Sequence, residues 1–123
     1  MFNFEKLEVW QEAMVYSLTR KFPDEERFGL INQMRRAAVS ISSNIAEGSS
    51  RSSRMDFARF IEIATGSLFE VISQATISRR RGFLSENAFN DLYSACEKQS
   101  KMLSGLRRSL IVPQLSTKNP KPG

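Results

Sequence analysis

The apolar residues of this chain recur at three- and four-residue steps in four separate runs, which is the spacing of amphipathic helices. In the first run, Phe4 to Lys21, the residues Leu7, Trp10, Met14 and Leu18 fall on one face. Pro23 ends it, because proline disfavours a helical conformation in the residue before it, here Phe22. Asp24, Glu25, Glu26 and Arg27 read as a charged connection. The second run, Leu30 to Glu47, carries Leu30, Met34, Ala37, Ala38, Ile41 and Ile45 on one stripe, and Gly48 is expected to stop it in a left-handed conformation.

The third run, Arg54 to Arg81, aligns Phe57, Phe60, Ile61, Ala64, Leu68, Val71, Ile72 and Ala75. Ser53 and Asp56 resemble a capping box at its start. Gly82 ends it after Arg79, Arg80 and Arg81, whose charges complement the helix dipole. Gly66 in mid-helix costs about 1 kcal/mol against alanine, so a close packing contact is expected there. The fourth run, Glu86 to Leu110, has Ser85 as N-cap and aligns Ala88, Leu92, Ala95, Gln99, Leu103, Leu106 and Leu110 before Pro113. Strand patterns are absent. Short connections between such helices predict an all-α, antiparallel up-down-up-down four-helix bundle over residues 1–112. Residues 113–123, with Lys118, Pro120, Lys121 and Pro122 among few apolar groups, read as a disordered tail.

Composition then removes most chemistry. The chain has no histidine and one cysteine. Nucleophilic triads that need histidine, His-ligated zinc sites, zinc fingers, iron–sulfur clusters and disulfides within the chain are therefore excluded. No glycine-rich phosphate loop is present. No enzyme activity and no cofactor are expected. Cys96 falls between Leu92 and Leu103 on an apolar stripe and reads as a small core residue. Glu62 and Glu70 read as a solubilising face rather than a catalytic pair. No apolar run approaches the roughly 20 residues that a membrane span needs, and the charged start, Met1 to Val9, is unlike a signal peptide. A cytoplasmic protein is expected.

Charge adds a functional hint. The net charge is +5, and residues 79–123 hold 9 Lys/Arg against 3 Asp/Glu, whereas residues 1–78 hold 9 against 10. A basic last third suggests a polyanionic partner. The candidate phosphate contacts are Arg35, Arg36, Arg79, Arg80, Arg81, Lys98, Lys101, Arg107 and Arg108, with Lys118 and Lys121 in the tail. No aromatic residue interleaves the basic face of the fourth helix, so the pattern signals electrostatic binding rather than base stacking.

Some apolar residues fall outside the core stripes. Val9, Ala13 and Tyr16 form a second stripe on the first helix, Val39 stands apart on the second, and Ile63, Phe69 and Ile77 do so on the third. Arg36, Ser40, Ser43, Asn44 and Glu47 make a polar stripe on the second helix. With Ser40, Asn44 and Glu47, the apolar set is the candidate interface of a homo-oligomer.

The stretches Phe22-Pro23, Gly29-Leu30, Gln33-Met34-Arg35-Arg36-Ala37-Ala38-Val39-Ser40-Ile41 and Asn44-Ile45-Ala46-Glu47-Gly48 resemble the hallmark of the four-helix bundle proteins encoded in intervening sequences of 23S ribosomal RNA genes. Leu7-Glu8-Val9-Trp10-Gln11 is similar to that family's opening helix, and Ala64-Thr65-Gly66-Ser67-Leu68 with Glu70 to its third. The resemblance implies an antiparallel bundle that assembles as a ring-like homopentamer. It also implies kinship with accessory proteins of diversity-generating retroelements, whose basic surface contacts nucleic acid and a reverse transcriptase. The first helix reads roughly two turns shorter than the family pattern, a change that preserves the facing of its stripe but bears on the subunit count. Two readings follow: an oligomeric module that binds RNA or DNA, or a structural adaptor that docks a protein partner.

Overall fold

The computed structural model describes residues 4–111. The chain forms α1 (Phe4–Thr19), α2 (Asn32–Ser49), α3 (Arg54–Arg80) and α4 (Glu86–Ile111), with no strand among the described residues. α1 packs on α2 and α4, α2 on α3, and α3 on α4, so each helix touches its neighbours in chain order and the ring closes between α1 and α4. This is an all-α antiparallel four-helix bundle. The tail 113–123 lies outside the described residues.

The core is built from the helical stripes. Met34, Ala38, Ile41, Ile61, Ala64, Leu68, Val71, Leu92, Cys96 and Leu103 are fully or almost fully buried. The thiol of Cys96 is pushed up to about 12, chiefly by burial and with the Gln11 side chain opposing part of the rise. It therefore stays protonated and packs as a small apolar group.

Helix ends follow local chemistry. Ser53 Oγ accepts from Asp56 N at 3.1 Å, and Ser85 Oγ from Ala88 N at 3.1 Å. After α3, Gly82 takes φ +83°. Its N–H reaches the Arg79 carbonyl, and Phe83 N–H reaches that of Ser78 at 2.9 Å. That pair of bonds is a Schellman ending, which requires a residue tolerant of the left-handed region.

Three expectations are corrected. Gly48 is not a left-handed stop. It is buried inside α2, where a Cβ would lie 2.7 Å from Phe60 Cβ and 2.9 Å from Phe57 Cδ1. Glycine is there because α3 passes too close for any side chain. Gly66, expected to mark such a contact, has nothing within 4 Å of its would-be Cβ. The buried face of α1 is also turned from the apolar stripe. Gln11, Val15 and Thr19 point inward while Trp10 is 49% exposed. Thr19 is held by donating to the Val15 carbonyl at 2.7 Å and accepting from Arg35 Nε at 2.9 Å. Polar residues thus occupy core positions that a search for apolar periodicity passes over.

The charged connection 24–27 is also helical in part. Asp24–Glu26 make a 3-10 turn, and the following Arg27–Ile31 segment is kinked at Gly29, whose backbone (φ −107°, ψ −109°) is not helical. Phe22 and Leu30 are buried on either side of it.

The α1–α4 contact carries an unpaired polar set. Glu8 Oε2, Gln11 Nε2 and both polar atoms of the Gln99 side chain are buried without a hydrogen-bond partner. Burial lifts the Glu8 carboxyl from 4.5 to about 7, helped by repulsion from Glu12 and Glu5. Below 4.5 the group is protonated in both folded and unfolded chains. Between 4.5 and about 7 only the folded chain holds the proton, so this residue's contribution to stability falls as pH rises through that window. Glu8→Gln is therefore expected to raise the melting temperature at about pH 8 and leave it little changed at about pH 4, read by thermal melts across pH. The glycines give a second test. Gly48→Ala should destabilise by about 2 kcal/mol through overpacking, whereas Gly66→Ala should stabilise by about 0.5–1 kcal/mol, both measured by denaturant unfolding.

Candidate functional site

Arginine serves this fold twice, as an internal fastener and as free surface charge, and the two uses separate the candidate cations. Arg35 sits at the start of α2 with its guanidinium over the Tyr16 ring at 4.5 Å, bonded to Thr19 and to the Tyr16 carbonyl. It thereby ties the last turn of α1 to α2, as a second donor to the Tyr16 carbonyl, which also accepts from Arg20 N at 3.1 Å. Arg79 lies 4.2 Å over Phe89 and 3.6 Å from Glu86. Arg81 stacks on Phe83 at 5.2 Å and pairs with Glu26 at 3.5 Å. Arg107 bonds Glu62 at 2.6 Å. Arg36, Arg80, Lys98, Lys101 and Arg108 are exposed and have no ion-pair partner among the described residues.

The candidates are also divided in space. Gln74 donates to Gln33 at 2.7 Å and Ser78 approaches Met34, which sets the start of α2 beside the end of α3. Arg35, Arg36, Arg79, Arg80 and Arg81 therefore share one end of the bundle. Arg107 and Arg108 lie at the far end, where Arg54 donates to the Ser109 and Leu110 carbonyls at 2.7 and 3.1 Å. Lys98 and Lys101 sit between, on the outer side of α4. Lys101 and Arg108, seven residues apart, share its outward face. Lys118 and Lys121 lie outside the described residues.

The polar stripe of α2 splits as well. Ser40 and Ser67 share a hydroxyl–hydroxyl bond of 2.9 Å between α2 and α3, and Asn44 Nδ2 donates to Ser40 O and Oγ at 2.8 and 3.0 Å. Glu47 turns to Arg51 at 2.7 Å. An open groove of about 330 Å³ runs along this seam, lined by Gln33, Arg36, Ser40, Ser67 and Glu70. A second, of about 570 Å³, lies between α1 and α2 and includes Tyr16, Arg35, Arg36, Val39 and Ser43.

Val9, Ala13, Tyr16 and Val39 are all exposed, and the shared groove places Tyr16 and Val39 together on the outer face of the α1–α2 pair. Ile63 and Ile77 stand on α3, exposed. Phe69 is exposed too but lies roughly 120° around α3 from Ile63, so it does not extend the same stripe. Two residues that periodicity did not single out stand out in the structure. Arg54 caps α4 from the first turn of α3, and Phe28 is 84% exposed at the α1–α2 corner. The sequence signal for Phe28 was an aromatic residue between two helical runs, flanked by Arg27 and Gly29. Among the described residues, no group of three or more His, Cys, Asp or Glu side chains converges as a metal site, and no helix is long and apolar enough to cross a membrane.

A family model described as 23S rRNA-intervening sequence protein matches residues 5–105. The chain belongs to that family. A solved structure from Bacteroides thetaiotaomicron, described as a protein with unknown function from the S23 ribosomal protein family, has the same fold, with a TM-score of 0.77 and 17% identity over 86% of this chain and 99% of that one. No curated protein matches. The bundle and the family membership thus agree with the resemblance carried by the second-helix run, and the solved structure is itself described as of unknown function.

Proposed function

We propose that this is a non-enzymatic, cytoplasmic bundle protein that works as a homo-oligomer and binds nucleic acid, RNA foremost, through its basic surfaces. The observation that carries the reading is the set of uncompensated cations, Arg36, Arg80, Lys98, Lys101 and Arg108, on a chain of net charge +5. A cation already paired to a carboxylate gains little from a phosphate, whereas a free one releases condensed counterions when it binds. The family description ties these proteins to 23S rRNA, which makes structured RNA the first ligand to try. Binding of this kind reads backbone charge and shape more than base sequence.

Fluorescence anisotropy of a labelled structured RNA, titrated across salt with nuclease-treated protein, tests it. Affinity is expected to fall steeply with salt, and Arg80→Glu combined with Lys101→Glu to weaken binding by about tenfold or more while flattening the salt dependence. Absence of binding at low salt would sink the reading.

A second reading, a structural adaptor that docks a protein partner, draws on the exposed α1–α2 face. Val9 is 65% exposed, and Tyr16 and Val39 are 40% each. Such a face on a small bundle favours burial against another chain. The family resemblance makes a homopentamer the assembly to look for. Light scattering coupled to gel filtration should give a defined oligomer, and Val39→Glu should lower its mass, since a buried unpaired carboxylate opposes association. A monomeric wild-type protein would overturn the assembly.

A further inference from the structure

Phe28 is the most exposed large apolar side chain among the described residues, at 84%. It stands on a corner that the structure fixes on both sides. Phe22 and Leu30, before and after it, are buried at 5% and 7%. Glu26 closes the turn by accepting from Leu30 N at 3.3 Å, and its other oxygen pairs with Arg81 at 3.5 Å. Gly29 has no side chain to crowd that carboxylate, whereas a Cβ there would lie 2.9 Å from Glu26 Oε1. The rings of Phe22 and Phe83 meet at 5.7 Å. The α1–α2 corner and the α3–α4 turn are thereby joined into one end surface. An apolar ring held in water on a fixed corner gains free energy only when something covers it.

The charge of its surroundings selects the cover. Arg27 precedes Phe28, and Arg80 stands beside the Arg81 that anchors the corner; both are exposed and lack an ion-pair partner among the described residues. Arg20 and Lys21, also exposed, close α1 at the same end. These cations outnumber the acids Asp24 and Glu25 that share the corner. An exposed ring on an end of the bundle where free cations exceed acids fits a ligand with a flat apolar face and flanking anionic groups. In duplex RNA the faces are hidden in the stack, so the fit is to an unpaired nucleotide.

We propose that Phe28 is a stacking platform for an unpaired base of single-stranded RNA, with Arg27 and the other free cations of this end of the bundle drawing its phosphates. This rests on the nucleic-acid reading above and adds a ligand class to it: a loop or a single strand rather than an uninterrupted duplex. It also supplies the aromatic element that the basic face of α4 lacks.

The test uses the full chain with two labelled RNAs, a short single strand and a duplex of the same length. Phe28→Ala is expected to weaken single-strand binding about tenfold, to leave duplex binding and the salt slope unchanged, and to melt like the wild type because the ring is exposed. Phe28→Tyr should retain affinity. In a Trp10→Phe, Phe28→Trp double variant, whose only tryptophan stands at the corner, emission should be quenched by the single strand and not by the duplex. If the wild type binds RNA while Phe28→Ala binds both RNAs as well as before, the stacking proposal is overturned and the electrostatic reading stands. If the wild type binds neither RNA, both fall together. A change in assembly mass on Phe28→Ala, without loss of single-strand binding, would instead assign the corner to a second copy of the chain and overturn the proposal.

Discussion

The approach of α2 to α3 at Gly48 sets the register for the rest of the bundle. With Phe60 Cβ and Phe57 Cδ1 inside the space a methyl group would need, the two helices meet backbone to side chain at the base of their hairpin. From that point the seam runs upward through Ile41, Ala38, Ala64 and Leu68, all fully buried, with the Ser40–Ser67 and Gln33–Gln74 bonds on its outer side. Small residues make the approach close. Paired polar groups at fixed heights disfavour sliding, because each would lose its partner while still partly buried. α4 then covers α3, and α1 closes the ring.

α1 is the least tightly specified member. Its buried face includes Gln11 and Thr19, and the contact with α4 leaves Glu8, Gln11 and Gln99 with unpartnered buried atoms. Beside the buried Val15, its polar ties are concentrated at its C-terminal end, in the Thr19–Arg35 bond and the Arg35–Tyr16 stack. The same α1–α2 face exposes Tyr16 and Val39 beside an open groove. The helix with the fewest internal ties thus borders the surface best suited to burial against another chain.

Arginine use connects stability to function. Arg35, Arg54 and Arg81 each close a helix end or a corner from a neighbouring element. Their charges are committed to the fold, and what remains for a polyanion is the subset without such duties. The electrostatic surface is therefore smaller and more divided than a count of basic residues implies, with Arg36 and Arg80 at one end and Arg108 at the other. Exposed Phe28 lies at the end where the committed and the free arginines meet.

The helices, their caps at Ser53 and Ser85, the stop at Gly82 and the burial of Cys96 were legible in the sequence, because each depends on residues within a turn or two of one another. The absence of histidine and the lone cysteine also bounded the chemistry without any structure. The run from Gln33 to Gly48 carried the family. Other features depended on distance across the bundle. Gly48 and Gly66 look alike in sequence, and only the path of α3 makes one a close approach and the other an open position. Trp10 reads as core by periodicity, yet Gln11 and Thr19 hold the inward face: Thr19 is tied to Arg35 on α2, and Gln11 is enclosed where α1 packs against α4. Which arginines are bound and which are free is likewise decided by residues far away in sequence, such as Glu26 for Arg81 and Glu62 for Arg107. The sequence by itself determined the elements and the chemistry they lack, because those follow from short-range propensity and composition. The tertiary structure alone decided which charges and rings are left for a partner, because that depends on what each side chain meets across the bundle.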